Sequence, residues 1–324
     1  MKPRRWVALI VAPLAAVVLG LGAGSVAIAP GDVLGALFGA GDDTVRTIVL
    51  DVRLPRVTLA VIAGAALAMS GATLQGVLRN PLAEPYLLGV SGGAAVGAVV
   101  VTAAGNAAPP LITLGAMGGA VLAVVLVLSV ARAAGGRFDP RILLMAGVVV
   151  GAFANAAIMI ALANTPASSV RSALWWMMGS LADASWLDVA WVTPLVVLGA
   201  AFLWTRARDI DVLALGEDAA AGLGADVDRA ARSLFLASAL LAAATVAAAG
   251  LIGFVGLVVP SMARAFGARR ARLTLAASAL TGAALLTIAD LLARTVRSPA
   301  ELPVGAITAV VGVPFFLVQL GRLR

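Results

Sequence analysis

Residues 53–104 read RLPR, then VTLAVIAGAALAMSGATLQGVL, then RNPLAEP, then YLLGVSGGAAVGAVVVTAA. Two of these four pieces are apolar, and each approaches the length of about 20 residues that a helix needs to cross the hydrocarbon of a bilayer. Between them, Arg79 to Pro85 brings two prolines and one charge of each sign. Proline withholds a backbone donor and turns the residue before it away from helix, so the run must break there. Non-helical backbone at that depth survives only where protein or an aqueous cavity covers it. The segment is either a tight turn on the cytoplasmic side or a structural element near an inner gate.

Working outward, the same alternation continues to both ends. Apolar runs near 6–29, 55–78, 87–104, 111–134, 141–163, 187–205, 233–252, 253–267, 273–293 and 303–321 give about ten spans, the eighth short and the third rich in glycine. The first run, behind Lys2, Arg4 and Arg5, exceeds the apolar core of a signal peptide and reads as a retained helix. Composition agrees: 62% of residues are hydrophobic, 12% are charged, and the mean hydropathy is +1.06. A soluble domain carries about 25% charge. The expectation is an all-α polytopic membrane protein, a single domain over 1–324 whose longest charged loop lies at about 206–232.

Several chemistries are excluded at once. The chain has neither cysteine nor histidine, which removes disulfides, thiolate metal sites and imidazole ligands. Its sole lysine is Lys2, so no P-loop can form in mid-chain and the protein cannot carry an ATPase site of that kind. The net charge of +7 does not imply nucleic acid, because the arginines sit singly or in small groups between apolar runs. Topology accounts for them. With ten spans and a cytoplasmic N-terminus, only Arg46, Arg53, Arg56, Arg171, Arg294 and Arg297 fall outside; the rest, from Lys2 through Arg137 to Arg322 and Arg324, fall inside. Both termini are then cytoplasmic.

Small residues suggest how the helices pack. Gly64-Ala65-Ala66, Ser70-Gly71, Gly115, Gly118 and Gly119 permit the close backbone approach that drives helix association in lipid. In the long loop, LALGEDAAAGLG at 213–224 reads as a short helix. Glu217 and Asp218 suit the positive end of its dipole, and Gly224 suits a left-handed cap. A plain solvated loop is the other reading. At the outer edge, Arg53, Arg56 and Arg294 are either interfacial anchors or contacts for a partner. Asp290 and Glu301 lie near the same edge; they cannot form a relay across the membrane and are expected to pair locally with Arg294 or Arg297.

Taken together, RLPR and RNPLAEPYLLGVSGGA, WWMMGSL at 175–181, LALGEDAAAGLG, GLIGFVGLVVP at 250–260, ADLLAR at 289–294 and PAELPVG at 299–305 closely resemble the FecCD family, permease subunits of ABC importers for iron–siderophores, haem and cobalamin. The resemblance covers most of the chain in the family's order. It implies a BtuC-like type II importer fold and no cofactor. An ABC ATPase subunit would dock on Leu213, Leu215, Gly216, Glu217, Ala220, Leu223 and Gly224. A periplasmic or lipoprotein substrate-binding protein would dock on Arg53, Arg56 and Arg294, with Arg56→Glu cutting transport but not insertion. A second copy of the chain, or a homologous permease, would complete the pore in a bacterial cytoplasmic membrane. Gln75, Arg79, Asn80, Pro81 and Asn155 are candidates for the gate or pathway. Ser261 stands where relatives often have histidine, and Tyr86 where a small residue is frequent. An iron(III)–siderophore is the first choice of cargo, then haem or cobalamin; an ion-gradient carrier and an intramembrane enzyme are the alternatives of other classes.

Overall fold

In a computed structural model, residues 3–105, 108–134 and 139–321 are described, and among them the regular structure is entirely helical. Lys2, Arg137, Arg322 and Arg324, assigned above to the inner side, lie outside these residues. The chain begins with α1 (Pro3–Gly22), α2 (Pro30–Leu37) and α3 (Asp43–Thr47). A π-helical stretch, Ile48–Arg53, then carries the chain without a break into α4 (Leu54–Val77). After a 3₁₀ turn at Pro85–Leu88 come α5 (Val90–Ala103), α6 (Pro109–Ala133), α7 (Pro140–Ala163), α8 (Ala167–Met177) and α9 (Trp186–Thr205). Two short helices, α10 (Ala207–Leu213) and α11 (Glu217–Gly222), precede α12 (Val227–Ala249), α13 (Val255–Ala265), α14 (Ala271–Thr295) and α15 (Val304–Gly321).

Every apolar run from the sequence falls on a helix, and the helices differ in length. Among the described residues seven helices are long and apolar enough to cross a membrane, and α5, α13 and the portion Val304–Val318 of α15 are further apolar helices. The shortest lies at 253–267, as the length of that run implied. Eleven residues of α13 reach only about 16 Å, roughly half of the hydrocarbon thickness. Pro260 sits inside α13, and the non-helical stretch Leu251–Phe254 precedes it.

The middle of the bundle is α4, packed against α9, α12, α13 and α14 and buried along nearly its whole length. Around it, α6, α7 and α9 turn apolar side chains outward, including Leu114, Leu122, Met145, Phe153, Met159 and Leu198. That surface would be untenable in water and is the expected outer face of a multi-pass membrane protein.

Glycine sets the central crossings. A Cβ at Gly64 would overlap the Gly282 carbonyl on α14, and one at Gly71 would overlap the backbone of Gly256 on α13. Gly93 and Gly97 on α5 meet Gly119 and Gly115 on α6 in the same way. Gly118 departs from the expectation, because nothing lies within 4 Å of its added Cβ. It faces outward, and Gly118→Ala should leave the thermal unfolding midpoint unchanged or raise it slightly, since alanine favours helix by about 1 kcal/mol.

Candidate functional site

The α10–α11 element is fixed to the bundle from beneath. Ala207, Ile210 and Leu213 are buried, and the Asp211 carboxylate accepts a 2.8 Å bond from the Ala271 N–H, capping the start of α14. Gly216 adopts φ 110° and ψ 158°, open to glycine alone, and turns the chain into α11. Glu217 and Asp218 occupy its first turn. Gly224, at φ 79°, closes it, with Ala225 N–H donating to Ala220 O and Gly224 N–H to Ala221 O. Of the apolar residues singled out here, Leu213 is only 5% exposed and Ala220 fully buried, so both serve the fold. Leu215 and Leu223 are each 65% exposed.

Arg79 joins this element to α4. Asn80 N–H donates to Gln75 O and Arg79 N–H to Gly76 O, the bond pair that ends a helix through a left-handed residue. Glycine normally holds that slot; here Arg79 does, at φ 49°. Its guanidinium lies 3.8 Å from Glu217, with both side chains about half exposed. The Asn80 side chain accepts from Leu82 N–H at 2.9 Å, tightening the turn.

Gln75 proves to be a positioning residue. Pro260 has no N–H, so the Gly256 carbonyl four residues earlier loses its helical partner. Gln75 Nε2 lies 3.3 Å from that oxygen and 3.1 Å from Leu257 O, while Gln75 Oε1 accepts from Arg264 Nη2 at 2.7 Å. Ser261 Oγ accepts from the same nitrogen at 2.9 Å. Gln75, Arg79 and Pro81 line one cleft with Asp211 and Arg264. Asn155 is not among them; it sits on the exposed face of α7 beside Phe153.

Three distant motifs converge where α12 gives way to α13. Gly250, at φ 68° and ψ −163°, ends α12 so close to Trp176 O that a Cβ would overlap it. Ser180 N–H donates to Ala249 O at 2.9 Å, and Val304 N–H to Gly179 O at 3.0 Å. The stretch after Gly250 has no helix to satisfy its donors. Tyr86 Oη accepts from Ile252 N–H and Glu84 Oε1 from Phe254 N–H, each at 2.9 Å. The segment 79–85 thus forms a turn at its start and, through Glu84 and then Tyr86, braces irregular backbone. Tyr86→Phe should cost about 1–3 kcal/mol by stranding the Ile252 N–H, read as a lower unfolding midpoint in detergent.

At the opposite end of α4 the arginines are buried. Arg53, Arg56 and Arg294 are 4%, 5% and 5% exposed. Arg53 donates to Leu21 O, Gly22 O and Val26 O, and Arg294 to Gly20 O. Both thus cap the negative end of the α1 dipole. Arg56 grips Glu301 through two 2.9 Å bonds and Asp290 through contacts of 2.8–3.1 Å, while Arg294 Nε lies 3.5 Å from Asp290. Of the local pairing expected with Arg294 or Arg297, Asp290 meets Arg294, while Glu301 pairs instead with Arg56, which also holds Asp290. The exposed docking arginines are not: no guanidinium of the three is free at the surface.

The model of the FecCD transport family matches residues 10–322. The chain belongs to the FecCD family. This FecCD permease is 43% identical to the cobalamin import system permease protein BtuC of Halobacterium salinarum over 86% of the chain and 74% of the relative. It is 38% identical to the hemin transport system permease protein HmuU of Yersinia pestis, covering 87% and 86%. Among solved structures it superposes on a chain assigned to a metal-chelate type ABC transporter in an inward-facing conformation, with TM-score 0.89, 26% identity, and coverage of 99% and 100%. Glu84 was missed as a functional group in the sequence, although an acid between two prolines in an apolar neighbourhood was a usable signal.

Proposed function

We propose that this FecCD permease is the membrane subunit of an ABC importer for a metal chelate, an iron(III)–siderophore first, with haem or cobalamin as the alternative cargo. A separate ATPase docks under α10–α11, a substrate-binding protein delivers cargo at the other face, and a second copy or a homologous permease completes the pore. Both termini then lie in the cytoplasm. One observation carries the reading: Leu215 and Leu223 stand exposed on an element whose other face is anchored to α4 and α14. Exposed leucines on a rigid mount suit a docking knob, and rigidity lets movement of the partner reach the bundle. Arg53, Arg56 and Arg294 are assigned to holding the outer ends of α1, α4 and α14.

Leu215→Glu with Leu223→Glu tests this. The variant should reach the membrane with wild-type yield and unfolding midpoint, because neither side chain is buried, yet lose co-purification with the ATPase by at least tenfold. Undiminished capture of the ATPase by the folded variant rejects the docking site. For cargo, the partner binding protein should be titrated with ferric siderophore, haem and cobalamin.

A further inference from the structure

The cleft beneath Arg79 holds more positive charge than its own structure uses. It has a volume of about 280 Å³ and lies between α4, α10, α13 and the start of α14. Arg79, Arg264 and Arg269 line it, with Asp211 as the acid. Asp211 accepts the Ala271 N–H through Oδ1 and keeps its charge, so three guanidinium groups stand against one carboxylate. Arg264 spends only Nη2, on Gln75 and Ser261, and these two bonds fix its plane. Its Nε and Nη1, and all of Arg269, have no bond or ion pair to the described residues. Arg79 has only the 3.8 Å contact with Glu217, between half-exposed side chains, and pairs of that kind contribute about 0.2–1 kcal/mol. Three solvent-exposed guanidinium groups around one cleft, with donors not taken up by the fold, match what a tetrahedral oxyanion requires.

We propose that this cleft binds a phosphate group and that the bound phosphate competes with Glu217 for Arg79. The backbone supports the competition. Arg79 holds a left-handed slot that glycine fills at less cost, which keeps its side chain at the junction of the cleft and α11. Phosphate in the cleft draws Arg79 inward and releases the first turn of α11; an empty cleft leaves Arg79 on Glu217. Two sources offer this chemistry: free phosphate, and the headgroup of an anionic phospholipid, since basic pockets between membrane helices recruit such headgroups. The effect on coupling rests on α11 being the docking element. Binding itself does not, and it is read on the permease alone.

Purified full-length permease is assayed in two arms. In the first, inorganic phosphate is titrated against chloride at matched ionic strength, and the unfolding midpoint is followed. In the second, native mass spectrometry scores retained phosphatidylglycerol against phosphatidylcholine. Binding predicts a rise on the order of 2 °C at tenfold Kd in the first arm, selective phosphatidylglycerol adducts in the second, or both, and the pattern identifies the source. Arg264→Gln with Arg269→Gln should abolish the signal. Should that variant misfold, two surface variants carry the test. Glu217→Gln should tighten phosphate two- to fivefold by removing the competitor, and Arg79→Gly should weaken it while leaving the fold intact. No response beyond chloride together with no selective adduct overturns the proposal, as does binding unaffected by both surface variants. Loss of ATPase capture in Leu215→Glu/Leu223→Glu is a separate outcome, so failure of the docking reading and failure of the phosphate site are told apart.

Discussion

Arg56→Glu is expected to leave little folded permease in the membrane, with the loss in stability and not only in transport. Among the described residues Arg56 alone makes ion pairs with both Asp290 and Glu301, and Asp290 is completely buried. Removing one partner of a buried ion pair costs about 3–5 kcal/mol, because the other charge stays buried without compensation. Glutamate goes further and sets a third carboxylate against the two already there. A native state is stable by only about 5–15 kcal/mol, so the variant should give several-fold less protein in detergent and a midpoint lowered by many degrees. Glu301→Gln is the graded control. Glu301 is one-third exposed, and Arg56 keeps Asp290 when it is neutralised, so the drop should be near 1 kcal/mol. If Arg56→Glu inserts with wild-type yield and midpoint but fails only to respond to the binding protein, the buried-clamp assignment is wrong and a docking role returns.

That test falls where sequence and structure part company. Arginines at the end of an apolar run look alike whether they face a partner or the helix behind them. The deciding facts are three-dimensional: the carbonyls of α1 turn toward Arg53 and Arg294, and the loop bearing Glu301 folds back over Arg56. The π-helical stretch before Arg53 adds to the difficulty, since its wider turn shifts which face the side chain takes and leaves no composition signal. Asp290 was legible as a local partner because an acid four residues before Arg294 on a helix shares its face.

Hydropathy made the bundle legible, and the same physics explains where it misled. A window average registers apolar content, and 233–267 is mostly apolar with Arg264 as its one charge, so it reads as two spans. The break comes from Gly250 and from the bracket of Glu84 and Tyr86, more than 160 residues away in sequence. A segment whose donors are satisfied by distant side chains carries no local mark of being non-helical. In the α10–α11 element the cap signals were local, and there the Gly216 turn, the acidic first turn and the Gly224 cap follow the sequence closely. Which leucine faces outward was not readable, because Leu213 ends α10 on its buried face whereas Leu215 lies in the turn beyond it.

The second large effect is expected at Gly71, where local preference and tertiary contact have opposite signs. Alanine is better than glycine in a helix interior by about 1 kcal/mol, so propensity alone makes Gly71→Ala stabilising. The added methyl, however, would overlap the carbonyl and Cα of Gly256. Those are backbone atoms in the first turn of α13, and no rotamer change relieves the contact. Relief would require α13 to move away from α4. That movement is opposed just before α13 by the bonds from Glu84 and Tyr86 and in its first turn by Gln75, which holds the Gly256 and Leu257 carbonyls. Overpacking a fixed site costs about 1–3 kcal/mol and sometimes more, and this site is held from two sides, so the upper end or beyond is expected. Gly71→Ala should therefore lower the unfolding midpoint sharply, while Gly118→Ala, carrying the same atoms on an outward face, should not. Equal midpoints for the two variants would mean that α4 and α13 do not meet at this glycine pair, and the half-length α13 would lose its anchor in the bundle.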